Sequence, residues 1–364
     1  MAPLSRMRVR TRLDRRAGEL DARAAALDAR AEQLAAAERR LQLTQPFNPA
    51  VHDIPGYPRE LGPAARALLD RLDASDVEEV ERRVEGDLAE AWRHADDVAR
   101  GYLTLQLGVH YQVPSVLEKT GLTTAVPPEH VHAMARGPLA AGGDPGLADL
   151  IMGAIEYAGR GLPREGAALD FGCSSGRALR VLAAVRPDVR WQGCDPNAAA
   201  VAWARDALAP VTFFQSSQRP PLDLGTETLD FVYAISVWSH FDGEPALAWL
   251  REMFRVLRPG GLLLTTTHGL ASVARQLRTG AMVPVDGVRC TEALQREGFW
   301  FSPVFGEEGD FGVRDPGWGM AYMTPEWLVT RMLPTWSLLL YEPGRLDANQ
   351  DVYLFERRTV ANHG

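Results

Sequence analysis

A doubly wound, parallel α/β sheet is the fold the sequence predicts for its C-terminal half, on three observations. Apolar runs at 167–171, 189–194, 211–214, 229–235 and 261–267 alternate with helical stretches near 175–185, 197–208 and 244–257. The run at 229–235 is apolar without alternation, as a strand buried on both faces requires. Glycines and polar residues gather where the runs end, the edge at which such sheets bind ligands. Two later runs, Thr335 to Tyr341 and Asp351 to Phe355, flank Pro343-Gly344 and read as a closing hairpin.

The 364 residues are enough for about two domains, and 46% hydrophobic with 24% charged residues is an ordinary globular balance. A net charge of −8 argues against a general nucleic-acid binder. No stretch approaches the roughly 18 uninterrupted apolar residues of a membrane helix, and no apolar signal-peptide core follows the basic start. A cytoplasmic protein is the expectation. Cys173, Cys194 and Cys290 have no metal-type spacing and are too few for a disulfide framework, so neither a metal site nor crosslinks are expected.

Residues 1–45 read as a coiled-coil helix. Leu13, Leu20, Leu27, Leu34 and Leu41 recur every seven residues, with Ala17, Ala24 and Ala31 four after successive leucines. Pro46 ends the pattern. A lone helix of this kind is marginal in water, so self-association through residues 6–43 is expected, making a homo-oligomer. Residues 46–165 read as a linker and helical cap, with helices near 63–73, 76–107 and 147–159. Residues 166–364 read as the α/β domain, in which 270–327 is an insertion.

The chemistry lies at the strand ends. Leu169-Asp-Phe-Gly-Cys-Ser-Ser-Gly176 is a strand running into a glycine-bearing turn, followed by a helix from Arg177. Gly172 and Gly176 allow a tight turn and close approach to a ligand. Cys173, Ser174 and Ser175 separate them, which does not fit the G-x-G-x-x-G fingerprint of dinucleotide enzymes. Asp170 would sit poorly beside phosphate and suits a ligand with an amino group. Asp195, ending the second strand before Pro196 and Asn197, can accept the two hydroxyls of a ribose or else cap the next helix. Gln215, Ser216 and Ser217 end the third strand, where polar side chains could meet an adenine edge. Ser236 to His240 end the fourth, facing the ligand.

These segments together resemble the class I S-adenosylmethionine-dependent methyltransferases. The likeness covers Ala167 to Arg358. Leu169–Gly176 resembles that family's first motif, with Ser174 where glycine is usual, and Asp195 falls at its ribose-binding acid. Leu229-Asp-Phe-Val-Tyr and Val256-Leu-Arg-Pro-Gly-Gly-Leu-Leu-Leu resemble its fourth- and fifth-strand motifs. The resemblance implies a seven-stranded, Rossmann-like sheet with the last strand antiparallel, and S-adenosyl-L-methionine as cofactor. Asp170, Gly172, Cys173, Ser174 and Gly176 would hold its methionine part. Asp195, Pro196 and Asn197 would meet the ribose, Gln215, Ser216 and Ser217 the adenine, and Ser236 the ligand side of the fourth strand.

Two histidines stand where a general base could act: His268 after the fifth strand, the first choice, and His240 after the fourth. His110 and Tyr111 are weaker candidates. Aromatics in 270–327 (Trp300, Phe301, Phe305, Phe311, Trp318, Tyr322 and Trp327) suit either a lid and acceptor wall or a local core. The expected function is methyl transfer to a hydroxyl oxygen of a glycan or small metabolite. N- or C-methylation, and a coiled-coil scaffold with a cofactor-binding but non-catalytic core, are the alternatives.

Overall fold

The computed structural model describes residues 60–128, 131, 139, 142–305, 309–310 and 313–359. The coiled-coil reading of 1–45 lies outside the described residues. Pro49–Gly364 forms one compact unit.

Among the described residues nine strands make one sheet: β1 (Ala167–Phe171), β2 (Arg190–Asp195), β3 (Thr212–Gln215), β4 (Leu229–Ala234), β5 (Leu257–His268), β6 (Phe299–Ser302), β7 (Met320–Met323), β8 (Trp336–Leu346) and β9 (Gln350–Arg357). The order β3-β2-β1-β4-β5 is parallel throughout. β9 lies antiparallel along the far edge of β5, from Leu262↔Glu356 to His268↔Gln350, and β8 pairs antiparallel with β9. This is the expected closing hairpin. The addition to the expected seven strands is the hairpin β6–β7. It joins at a single bridge, His268↔Tyr322, beyond Thr265, where the β4–β5 pairing stops.

Strand alternation divides the core. Ala168, Phe231, Tyr233, Leu262, Leu264, Val352 and Leu354 face one side of the sheet. Their neighbours Ala167, Leu169, Val232, Leu263, Tyr353 and Phe355 face the other. The first side is covered by α7 (Leu179–Val185), α8 (Ala198–Ala207) and the cap helices. The second is covered by α9 (Gly243–Val256), which buries Trp249, Leu250, Met253 and Val256, and by α12 (Pro325–Met332). Between β5 and β6 run α10 (Leu270–Thr279) and α11 (Pro284–Glu297).

The cap contributes α1 (Pro63–Leu69), α2 (Ala74–Glu81), α3 (Gly86–His94), α4 (Asp97–His110), α5 (Pro114–Thr120) and α6 (Pro145–Tyr157). The single helix expected over 76–107 is three, because Gly86 turns at φ +58° and Asp96 caps a new start by accepting from Ala99 N. The cap is no separate globule. Leu105, Val109, Leu147 and Ile151 share one core with Val181, Phe231 and Leu264. Buried Asp149 ties α1 to α6, accepting from Ala64 N (2.6 Å), Ala65 N (2.9 Å) and the Tyr102 hydroxyl (2.5 Å). The sole lysine, Lys119, bridges Asp73 and Asp76 at 2.7 Å each.

Candidate active site

The sheet order reverses between β1 and β4, so the loops leaving their carboxyl ends part in opposite directions and open a crevice there. One wall comes from β1, β2 and β3. After Phe171 the chain turns through Gly172 (φ +82°), Ser174 (φ +46°) and Gly176 (φ +68°). At Gly172 a Cβ would also lie 2.6 Å from Val237 Cγ2, so glycine is required on two counts. The helix after the turn begins at Leu179, two residues later than expected.

Asp195 closes this wall. Its Oδ2 accepts from Ser174 N at 2.8 Å and its Oδ1 from Asn197 N at 2.8 Å. The helix-capping role open to it in the sequence falls instead to Asn197, whose side chain accepts from Ala199 N and Ala200 N. The carboxylate is thus oriented by one amide per oxygen, and each oxygen keeps a lone pair for a hydroxyl. Asp170 is buried, and loss of solvent, reinforced by the charge of Asp195 and opposed by the Tyr233 hydroxyl and Arg177, pushes its carboxyl up to about 7. Burial drives the thiols of Cys173 and Cys194 well above the usual range, so both pack as apolar groups beneath the turn.

The residues expected at the adenine bond to backbone carbonyls of neighbouring segments. Gln215 Nε2 donates to Pro196 O (3.1 Å), the buried Ser216 donates its N–H to Asp195 O (3.1 Å), and the Ser217 hydroxyl donates to Arg219 O. These bonds shape the loop that follows β3.

The other wall comes from β4, β5 and the insertion. Ser236 sits at φ +59°, its N–H donating to Thr266 Oγ1 (2.8 Å). The hydroxyls of Ser236 and Thr266 both donate to Gln350 Oε1, at 3.1 and 2.6 Å. With its oxygen committed to two donors, the Gln350 amide presents its NH2 to His268 Nε2 at 3.3 Å. His268 is 3% exposed and stacks on Tyr322 with ring centroids 5.0 Å apart. Burial, with the nearby His240, depresses its pKa to about 3. His268, expected first among the bases, is therefore a neutral ring whose Nε2 already accepts from a buried amide.

His240 differs. Its Nδ1 donates to Gly319 O at 2.8 Å, which puts the proton on Nδ1 and leaves Nε2 as the accepting nitrogen. Trp318 lies over the ring at 4.8 Å and 30°, Phe305 at 5.8 Å, and His268 edge-on at 6.2 Å. Burial lowers its pKa from 6.5, so the ring is neutral at physiological pH. The insertion's aromatics divide between the two expected roles. Phe305, Trp318 and Tyr322 meet the histidines, whereas Trp327 is buried in the core against Phe299 at 4.6 Å. Phe311 lies outside the described residues. His110 and Tyr111 end α4 in the cap. Gln350 is a member of this wall that sequence reasoning missed, and it stands in no local motif. Among the described residues no group of three or more His, Cys, Asp or Glu could hold a metal, and no helix is long and apolar enough to cross a membrane.

Residues 168–261, which hold both glycine turn and Asp195, match the family of the methyltransferase domain. Residues 168–261 are thus a methyltransferase domain. The matched segment runs from β1 to the bulge of β5, so the cap and the β6–β7 insertion lie outside it. Solved structures similar to the chain include an S-adenosylmethionine-dependent methyltransferase of Methanosarcina mazei, at 18% identity and TM-score 0.41, covering 55% of this chain and 95% of that one. Another is geranyl diphosphate C-methyltransferase of Streptomyces coelicolor bound to S-adenosyl-L-homocysteine, at 10% identity and TM-score 0.38, covering 58% and 78%. No curated protein matches the chain. The wall of the methyltransferase domain fits its cofactor. Asp195 is held by one backbone amide on each oxygen, and a buried Asp170 gains from a cationic amino group beside it.

Proposed function

We propose that the chain methylates a hydroxyl oxygen of a small acceptor, a metabolite or a glycan, with His240 as general base. The carrying observation is the His240 tautomer: Nδ1–H is tied to Gly319 O, and Nε2 accepts at the end of β4 beside the aromatic side chains of the insertion. Bound S-adenosylmethionine supplies a methyl group on a sulfonium, an electrophile that needs no further activation. The chain's own residues orient it and prepare the acceptor. Asp170 would hold the amino group, Asp195 the ribose hydroxyls, and Gly172, Cys173, Ser174 and Gly176 the turn between. His240 Nε2 takes the hydroxyl proton as the oxygen reacts, while Trp318 and Phe305 keep water from it. A base is needed for oxygen in particular, because a neutral hydroxyl is a poor nucleophile until its proton is shared.

A panel of hydroxyl, amine and carbon acceptors with isotope-labelled S-adenosylmethionine tests the reading. O-methylated product that His240→Gln abolishes, with S-adenosylhomocysteine binding retained, supports it. Turnover surviving the substitution, or product methylated on nitrogen or carbon alone, overturns it. The Leu/Ala heptads support self-association through residues 6–43, and a chain lacking them that sediments at an unchanged oligomeric state would refute that part.

A further inference from the structure

The segment from Val313 to Gly319 reaches two loops of the sheet at once. At one end Arg314 N donates to Gln218 Oε1 (3.1 Å), and Arg219 forms a two-pronged pair with Asp315, Nε to Oδ2 at 2.6 Å and Nη2 to Oδ1 at 3.1 Å. Both Gln218 and Arg219 belong to the loop after β3. At the other end Asp242 N donates to Gly317 O, Gly319 N donates to His240 O, and Phe241 bridges Trp318, all in the loop after β4.

Asp315 connects the ends. Its Oδ1 also accepts from Gly317 N at 2.8 Å, and its carbonyl accepts from Trp318 N at 2.9 Å. One carboxylate thus closes the turn that delivers the Trp318 ring and the Gly319 carbonyl to His240. The Asp315 side chain is 13% exposed while Arg219 is 68% exposed, so the acid is fixed in the fold and the arginine braces it from outside. A planar guanidinium on a carboxylate sets orientation as well as distance.

We infer that Arg219 and Asp315 are positioning residues that select the Nδ1–H tautomer of His240. With the turn held, Gly319 O accepts from Nδ1 and Nε2 stays unprotonated. With the turn released, that acceptor drifts and the Nε2–H form, which cannot take a proton from an acceptor hydroxyl, gains population. The inference rests on His240 being the base only for its catalytic consequence, since the tautomer is observable without turnover.

The test is long-range ¹H–¹⁵N NMR of the full chain labelled at histidine, with His240→Gln assigning the signal among the eight histidines. The wild type shows a protonated Nδ1 and a bare Nε2. Arg219→Ala moves both shifts toward the average of the two tautomers, changing their ratio by about 2- to 5-fold, the range over which an exposed ion pair biases an equilibrium. Arg219→Lys, which keeps the charge but loses the fork, falls between. Asp315→Asn retains an acceptor for Gly317 N and checks that the charge matters. Unchanged His240 shifts in both Arg219→Ala and Asp315→Asn overturn the inference. Shifted signals together with unimpaired turnover in His240→Gln leave the positioning role standing and remove the base role.

Discussion

The two walls of the crevice solve different problems with different materials. The wall that β1 and β2 supply is backbone amides, glycines at positive φ and two carboxylates, all within residues 170–197. The wall from β4, β5 and the insertion is neutral imidazoles, aromatic rings and one buried glutamine, drawn from residues 236 to 350. The first suits a constant, charged ligand and needs little beyond local geometry. The second is assembled across long sequence separations, where a changed insertion can recast the surface without disturbing the sheet. The proposed function assigns cofactor chemistry to the first wall and acceptor chemistry to the second.

The sharpest way to break that division is to remove one group from each wall. His240→Ala should lower kcat by about 10²- to 10⁴-fold, the usual contribution of a positioned base, with S-adenosylhomocysteine affinity unchanged. Asp195→Ala should do the reverse, weakening S-adenosylhomocysteine by about 100-fold in calorimetric titration as two hydrogen bonds to a charged group are lost. If His240→Ala also destroyed cofactor binding, or Asp195→Ala spared it, the two walls would not be functionally distinct.

Their pH dependences should differ in position. Asp170 ionises at about 7 in the free protein, and a cationic amino group binds its charged form. Affinity for S-adenosylhomocysteine should therefore rise as pH increases from 6 to 8, by up to about 10-fold per pH unit below the pKa, and level off above it. Asp170→Asn should flatten the curve. Through His240 the sign is the same but the window lower. Its pKa lies below 6.5, so kcat at saturating cofactor climbs in the acid range and is already flat near neutrality. Coincident profiles would assign both effects to one group. Trp318→Ala should act only on the acceptor side, raising the acceptor KM by about 2- to 10-fold, as loss of one aromatic stacking partner implies.

How much of this was legible beforehand follows the same division. The cofactor wall could be read because its requirements are local: glycines where φ must be positive, an acid where a parallel strand ends. The sheet was legible through β5 and again in the hairpin β8–β9, because strands buried on both faces are runs of apolar residues. The pair β6–β7 was not, since Phe299–Ser302 and Met320–Met323 are four residues each and half of their signal is aromatic, equally at home in a loop core. The order of the histidines was beyond sequence reasoning too. His268 and His240 both end or follow strands, and what distinguishes them in the fold is Gln350, 82 residues beyond His268 in the chain, whose amide meets His268 Nε2.

The smallest expected effect probes the one departure within the cofactor wall. Ser174 stands where glycine is usual in the resembled family and is held at φ +46°, a region that costs a side-chain-bearing residue about 1–2 kcal/mol. Its N–H nonetheless donates to Asp195 Oδ2, and any residue but proline would supply that donor. Ser174→Gly relieves the backbone but gives the unfolded chain more freedom, worth about 0.5–1 kcal/mol in the opposite sense. The net is a gain of under about 1 kcal/mol, read as a rise of a degree or two in Tm, with S-adenosylhomocysteine affinity within about 2-fold of wild type. A large gain in affinity would mean that the serine side chain itself obstructs the ligand. A large loss would mean that its hydroxyl is a direct contact, and the wall would then owe part of its binding to a side chain rather than to the turn.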